Sequence, residues 1–88
     1  MKHLTIRIHG KVQGVFFRNT TKQMAQKVGL CGTVQNLSDG SVKVEVEGEE
    51  NVLNEFLDYC HKGPSKAEVK DVSVEEGNIV GYTDFRVI

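Results

Sequence analysis

The chain has no tryptophan, one proline and two cysteines in 88 residues, and aromatics make up only 7% of it. Cys31 and Cys60 show no C-x-x-C spacing, so neither a disulfide framework nor a zinc site is indicated. They read as packed thiols of a reducing compartment. No excess of charge exists either: 11 Lys and Arg stand against 12 Asp and Glu, a net −1. Nothing global attracts nucleic acid or an anionic membrane surface, so an anion would need a local site. No apolar run approaches the ~20 residues of a membrane span. The opening MKHLTIRIHG alternates where a signal peptide would be uniformly apolar. The expected address is the cytoplasm, with neither membrane nor nucleic acid as partner. What is present, 39% hydrophobic residues, suffices for a single core and one small domain over residues 1–88.

Leu4, Ile6 and Ile8 alternate with Thr5, Arg7 and His9, the period of a half-buried strand. The segment 10–17 interrupts it. Residues 17–28 are good helix formers, with Phe17, Met24, Ala25 and Val28 on one face and Gly29 just past the end. Residues 31–36 read as a short strand centred on Val34. Asp39-Gly40 marks a hairpin, because such turns need positive φ. Val42, Val44 and Val46 then alternate with Lys43, Glu45 and Glu47 in a second half-buried strand. Glu49 and Glu50 suit the positive end of a helix, and Val52, Leu53, Phe56, Leu57 and Cys60 form its apolar stripe. Gly63-Pro64 stops it. Val69, Val72 and Val74 imply a fourth strand with a bulge or a weak start, and Phe85, Val87 and Ile88 a short last one.

The order is β-α-β-β-α-β with a short extra strand. One apolar face per strand and one stripe per helix predict an α+β, ferredoxin-like sandwich. It has an antiparallel sheet of four to five strands and two helices on one face. His3, His9 and His61 read as surface histidines. The odd positions of the first strand share the open sheet face with Lys43, Glu45 and Glu47, where cross-strand charge pairing is expected.

This topology brings two distant segments together. In strand order 4-1-3-2 the first and second strands run parallel through a right-handed crossover. Their C-terminal ends lie at one end of the sheet, roughly 9–10 Å apart across the third strand. The first leads into GKVQGVFFR, residues 10–18, and the second ends at Asn36. A helix normally starts on Ser, Asp or Thr; here Gly-Val-Phe-Phe-Arg takes that place. Successive N–H groups in a glycine turn that opens a helix converge on an anion. A capping side chain would occupy those donors, and a carboxylate would repel the ligand.

Gln13, Gly14, Val15, Phe16, Phe17 and Arg18 are therefore the candidate phosphate-binding residues. Gly14 permits close backbone approach. Val15 and Phe17 pin the loop to the core. Arg18 offers a charged fork that matches phosphate oxygens. Inorganic phosphate or sulfate is the expected site anion, and residues 63–66 are expected at its rim. The plain alternative is a glycine turn followed by a surface arginine.

GKVQGVFFR and, further on, GTVQNLSDGSV closely resemble the acylphosphatase family. The likeness continues through Gly29-Leu30, Glu47-Gly48, Gly63-Pro64 and Asp84-Phe85. It implies a small cytosolic, monomeric enzyme that hydrolyses carboxyl-phosphate anhydrides without a metal or other cofactor. It also implies that Arg18 and Asn36 are the catalytic pair and that residues 13–18 are the phosphate cradle. Two positions depart from the family pattern. Thr33 stands where many members carry an aromatic residue, on the sheet face opposite Val34. Phe16 stands where relatives often have a small residue, either narrowing substrate entry or pointing to solvent.

The chemistry implied by the resemblance suits the residues present. The leaving group is a carboxylate whose acid has a pKa near ~4.3, so no strong general acid is needed. Neither motif contains His or Glu. Positioning and charge stabilisation remain: Arg18 and the loop N–H groups on the phosphoryl oxygens, and Asn36 on the attacking water. Rival readings are weaker. RNA-recognition modules of the same topology stack bases on open-face aromatics, and Thr5, Arg7, Lys43, Glu45 and Glu47 supply none. A metal carrier of this fold needs paired thiols in its loop. A non-catalytic, phosphate-binding accessory or regulatory domain is the strongest alternative, since such domains front hydrogenase-maturation carbamoyltransferases. The intact Arg18/Asn36 pair and the lack of a further domain here favour a free enzyme.

Overall fold

Alternation in the strands becomes register in the sheet. Leu4, Val46 and Gly32 form one row across three strands, Ile6, Val44 and Val34 the next, and Ile8, Val42 and Asn36 the last. The apolar members are all buried, and they form the core beneath both helices. The computed structural model describes residues 1–14 and 16–88. Its elements are β1 (Lys2–Lys11), α1 (Phe17–Lys27), β2 (Cys31–Asn36), β3 (Val42–Gly48), α2 (Glu50–Lys62), β4 (Glu68–Gly77) and β5 (Phe85–Val87). The strand order is β4-β1-β3-β2-β5. The expected order 4-1-3-2 is present, with β5 added beyond β2. The pair β2–β5 is parallel, so the sheet is mixed and not wholly antiparallel. The C-terminal segment reaches that edge from the far side of the molecule, which no local pattern could specify.

The helices cover one face of this sheet. In α1 the buried positions are Phe17, Thr21 and Ala25; in α2 they are Leu53, Phe56 and Cys60. Each set recurs at helical spacing, and each fully buried large side chain is worth ~1.5–3 kcal/mol. Thr21 replaces an apolar residue at the centre of the α1 stripe. Its hydroxyl lies 3.3 Å from that of Tyr59 and so joins the two helices. Met24 and Val28 are only partly buried. Burial pushes the Cys60 thiol up to about 12, as expected of a packed thiol and not of a reactive one.

Strand β1 does not stop at residue 10, as its alternation suggested, but pairs through Lys11. It passes a bulge: His9 faces Asp71 and Gly10 faces Val69, leaving Lys70 over. The extra residue turns both Val69 and Val72 to the core although they are three apart. Gly10 is required here. Its φ is 133°, and a side chain would strike the Glu68 carbonyl.

The open face differs from the sequence expectation in two ways. Arg7 sits directly opposite Lys43 and Thr5 opposite Glu45, so the charge pairing expected between β1 and β3 is met only at His3, which faces Glu47. His3 is not a surface histidine: it is 4% exposed. Its Nδ1 lies 2.7 Å from Glu47 Oε2, and its ring stacks on Tyr82 at 6.1 Å. Glu47 is also buried, and it accepts the N–H groups of Val80, Gly81 and Tyr82. Residues 80–82 thus fold back over this end of the sheet and are held by one carboxylate. Burial alone would raise the Glu47 pKa. The Val80 N–H, His3 and the N–H groups of Gly81 and Tyr82 overcome it and hold the group at about 2.

A depressed carboxylate stabilises the fold above its unfolded pKa and loses that contribution as pH falls through the folded value. Glu47→Ala is expected to cost about 3 kcal/mol at neutral pH, since it orphans several donors. The gap between wild type and variant in urea unfolding should shrink as pH falls from the ordinary Glu value of 4.5 towards 2. A gap that stayed constant with pH would mean that the charge of Glu47 contributes nothing.

Candidate active site

The site forms where two local rules are broken at the same end of the sheet. The first is the start of α1. Its N-cap is Phe16, in the left-handed region at φ 60° and ψ 22°, with no side-chain cap and no acidic residue in the first turn. The first intrahelical bond runs from Thr20 N–H to the Phe16 carbonyl at 3.0 Å. The N–H groups of Phe17, Arg18 and Asn19 therefore precede any intrahelical acceptor and present the positive end of the helix. Gly14 also has positive φ, at 73°, with open space around it. The turn thus bends sharply without a side chain in the way.

The second broken rule is at the end of β2. Gly32, Val34 and Asn36 share the helix-side face, so Asn36 occupies the place where the core pattern calls for another apolar residue. Its Oδ1 is buried and, among the described residues, has no hydrogen-bond partner. An orphaned buried acceptor costs ~1–3 kcal/mol and calls for a functional explanation.

Both features open on one surface cleft of about 300 Å³, lined by Gly14, Phe16, Phe17, Arg18, Asn19 and Asn36, with Val12 and Val87 as apolar walls. Arg18 carries the only charge on that lining. Among the described residues no carboxylate pairs with it. The nearby hairpin carboxylate, Asp39, is engaged by the Ser41 hydroxyl and N–H, which hold its pKa below the ordinary value. The cleft is therefore built to receive negative charge.

The candidate residues divide in what they do. Gly14, Phe16, Phe17 and Arg18 line the cleft together with Asn36. Phe17, only 2% exposed, anchors the turn in the core. Val15 lies outside the described residues. Gln13 turns away from the cleft: its Nε2 donates to the carbonyls of Leu37 and Ser41 at 2.8 and 2.9 Å. It fastens the turn to the β2–β3 hairpin next to Asn36, so its side chain positions the loop and does not line the cleft. Residues 63–66 do not line the cleft as expected. Gly63 packs behind Phe17, close enough that a Cβ would meet the ring at 3.0 Å.

The far wall is Val87, set by the β5 pairing, and Asn19 joins the lining from the first turn of α1. Sequence reasoning passed over both. Asn19 was signalled by its place one residue after Arg18 in an uncapped helix. Val87 had no signal until β5 was located.

A family model for acylphosphatase matches residues 4–87. The chain belongs to the acylphosphatase family. An acylphosphatase of Thermotoga petrophila is 49% identical over 87 residues, covering 99% of this chain and 97% of the relative. The crystal structure of acylphosphatase from Bacillus subtilis superposes with a TM-score of 0.97 at 36% identity, covering 100% of this chain and 99% of that one. Full-length HypF, crystallised in a phosphate- and nucleotide-bound form, contains a similar unit. It superposes with a TM-score of 0.89 at 32% identity and covers 99% of this chain but only 12% of that one. As an acylphosphatase this chain is a hydrolase of acyl phosphates, and its ferredoxin-like fold is that of its relatives.

Proposed function

We propose that hydrolysis occurs in this cleft by direct attack of water on the phosphoryl group, with Arg18 and Asn36 as the catalytic residues. The observation that carries this reading is the pairing of donors and acceptor in one cleft. The uncapped α1 N-terminus and Arg18 share it with the Oδ1 of Asn36, which is without a hydrogen-bond partner among the described residues. The N–H groups of the first α1 turn and Arg18 hold the phosphoryl oxygens, and charge builds there in the transition state. Asn36 accepts a hydrogen bond from the attacking water and fixes its line of approach. Its amide stays neutral beside a dianion, where a carboxylate would be repelled. The carboxylate leaves without general-acid help, because its conjugate acid has a pKa near ~4. The water's proton passes to a substrate oxygen or to solvent, and no covalent enzyme intermediate forms.

The same reading takes residues 1–88 as one monomeric, cytoplasmic domain that needs no metal and binds inorganic phosphate or sulfate as product or mimic. No helix among the described residues is long and apolar enough to cross a membrane. A purely phosphate-binding domain, by comparison, has no use for the buried acceptor at Asn36.

The test is to follow hydrolysis of benzoyl phosphate with excess chelator. Full activity, with benzoate and phosphate released in equal amounts and incorporation of one solvent oxygen into phosphate, is expected. Loss of activity on chelation would require a metal in the mechanism, and solvent oxygen found in benzoate would move the attack to the acyl carbon.

A further inference from the structure

Phe16 goes against what a folded chain prefers in two independent ways. Its side chain is 76% exposed although it is a large hydrophobe. Its backbone is left-handed, the only positive φ among the described residues that is not a glycine's. Glycine adopts that conformation freely and phenylalanine does not. Neither the core nor the helix cap gains from the ring, because it packs on neither. Backbone strain of this kind gathers where a ligand is bound.

Its position shows what the ring meets. The cleft orders its lining by chemistry. Arg18, Asn36 and the first N–H groups of α1 take the phosphoryl end, so the acyl end must point away from them. Beyond Asn19, which belongs to the first α1 turn, the remaining described lining is apolar or without a side chain: Gly14, Val12, Phe17, Val87 and the exposed ring of Phe16. No second charge is present there to receive a charged acyl group.

We propose that Phe16 is a specificity-determining residue, its ring forming with Val87 an apolar seat for the acyl half of the substrate. The enzyme is thereby biased towards acyl phosphates with an aromatic or bulky apolar acyl group over small or charged ones. The inference rests on the acyl phosphate reading of the cleft and extends it to the half of the substrate that the cradle does not recognise.

The experiment compares kcat/KM for benzoyl phosphate and acetyl phosphate in wild type, Phe16→Gly and Phe16→Tyr, with the inhibition constant of inorganic phosphate measured alongside. The benzoyl-to-acetyl ratio is expected to fall about fivefold in Phe16→Gly, the scale of one aromatic contact, and to stay within about twofold of wild type in Phe16→Tyr. The phosphate inhibition constant should move less than the ratio, because phosphate has no acyl group. Thermal unfolding should show a Tm for Phe16→Gly at or above that of wild type, since glycine relieves the left-handed backbone. An unchanged ratio in Phe16→Gly overturns the proposal, as does an equal loss on both substrates with a matching loss of phosphate affinity. In either case hydrolysis by wild type leaves the acyl phosphate reading intact. Failure of wild type to hydrolyse either substrate would remove that reading and the inference with it.

Discussion

Arg18→Ala is expected to lower kcat/KM for an acyl phosphate by at least about a thousandfold, the range seen when a fixed charge on a transferring phosphoryl group is removed. Three features set the size of the effect. Arg18 is the only charged residue among those described around the cleft, so nothing takes over its role. It stands in the first turn of α1, where the proposed mechanism has its guanidinium and the helix N–H groups act on the same oxygens. No carboxylate among the described residues shares it, so its whole charge is available to the substrate. Inorganic phosphate should lose affinity as well, by about 10- to 100-fold, since a hydrogen bond to a charged group is worth ~1.5–3 kcal/mol. Lysine at this position should recover only part of both, because a point charge cannot reproduce the planar fork. Steady-state kinetics with phosphate as competitive inhibitor checks all of this. Near-normal activity in the alanine variant would remove Arg18 from the catalytic pair.

Asn36→Ala should separate binding from turnover. The water that the proposed mechanism assigns to Asn36 takes no part in binding phosphate, so the phosphate inhibition constant should change by less than about threefold. Misplacement of the nucleophile costs on the order of 100-fold or more in kcat. Stability should move the other way. Oδ1 of Asn36 is a buried acceptor without a partner among the described residues, and removing it relieves a desolvation cost of ~1–3 kcal/mol, set against a small cavity. Urea unfolding should therefore show Asn36→Ala as stable as wild type or more so, the usual relation where a site is kept at the expense of the fold. A variant that lost both activity and stability would mark Asn36 as a structural residue. A variant that kept near-normal kcat would refute the water-positioning role.

The parts of this molecule that follow local rules were legible from the chain. The strand alternations of 4–8 and 42–46, the α2 stripe and the Asp39-Gly40 turn each carry their own period or turn chemistry. The irregularity opposite Gly10 was readable as a bulge or a weak strand start, because Val69 and Val72 are separated by an odd number of steps yet are both apolar; only the pairing with β1 decides for the bulge. The meeting of the turn at residues 10–18 with Asn36 needed only strand order. What was not legible depended on distant chain. His3 and Glu47 look like polar members of an open face until residues 80–82 fold over them. Val87 becomes a wall of the cleft only through a parallel pairing with β2. The carboxamide of Gln13 looks like a ligand group in a phosphate loop, yet two carbonyls of the neighbouring hairpin claim it.

Strand β5 has an effect beyond the cleft wall. An open sheet ends in two rows of unpaired backbone groups, and each can template another chain. Here one end is β5 itself, only three residues long, too short to hold an incoming strand. The other end is β4, interrupted at Lys70 and studded with exposed Glu68, Asp71, Glu75 and Glu76. Brevity protects one margin, and charge with a broken ladder protects the other. Strand-by-strand growth into fibrils is thus discouraged at both margins while the native pairing is left intact.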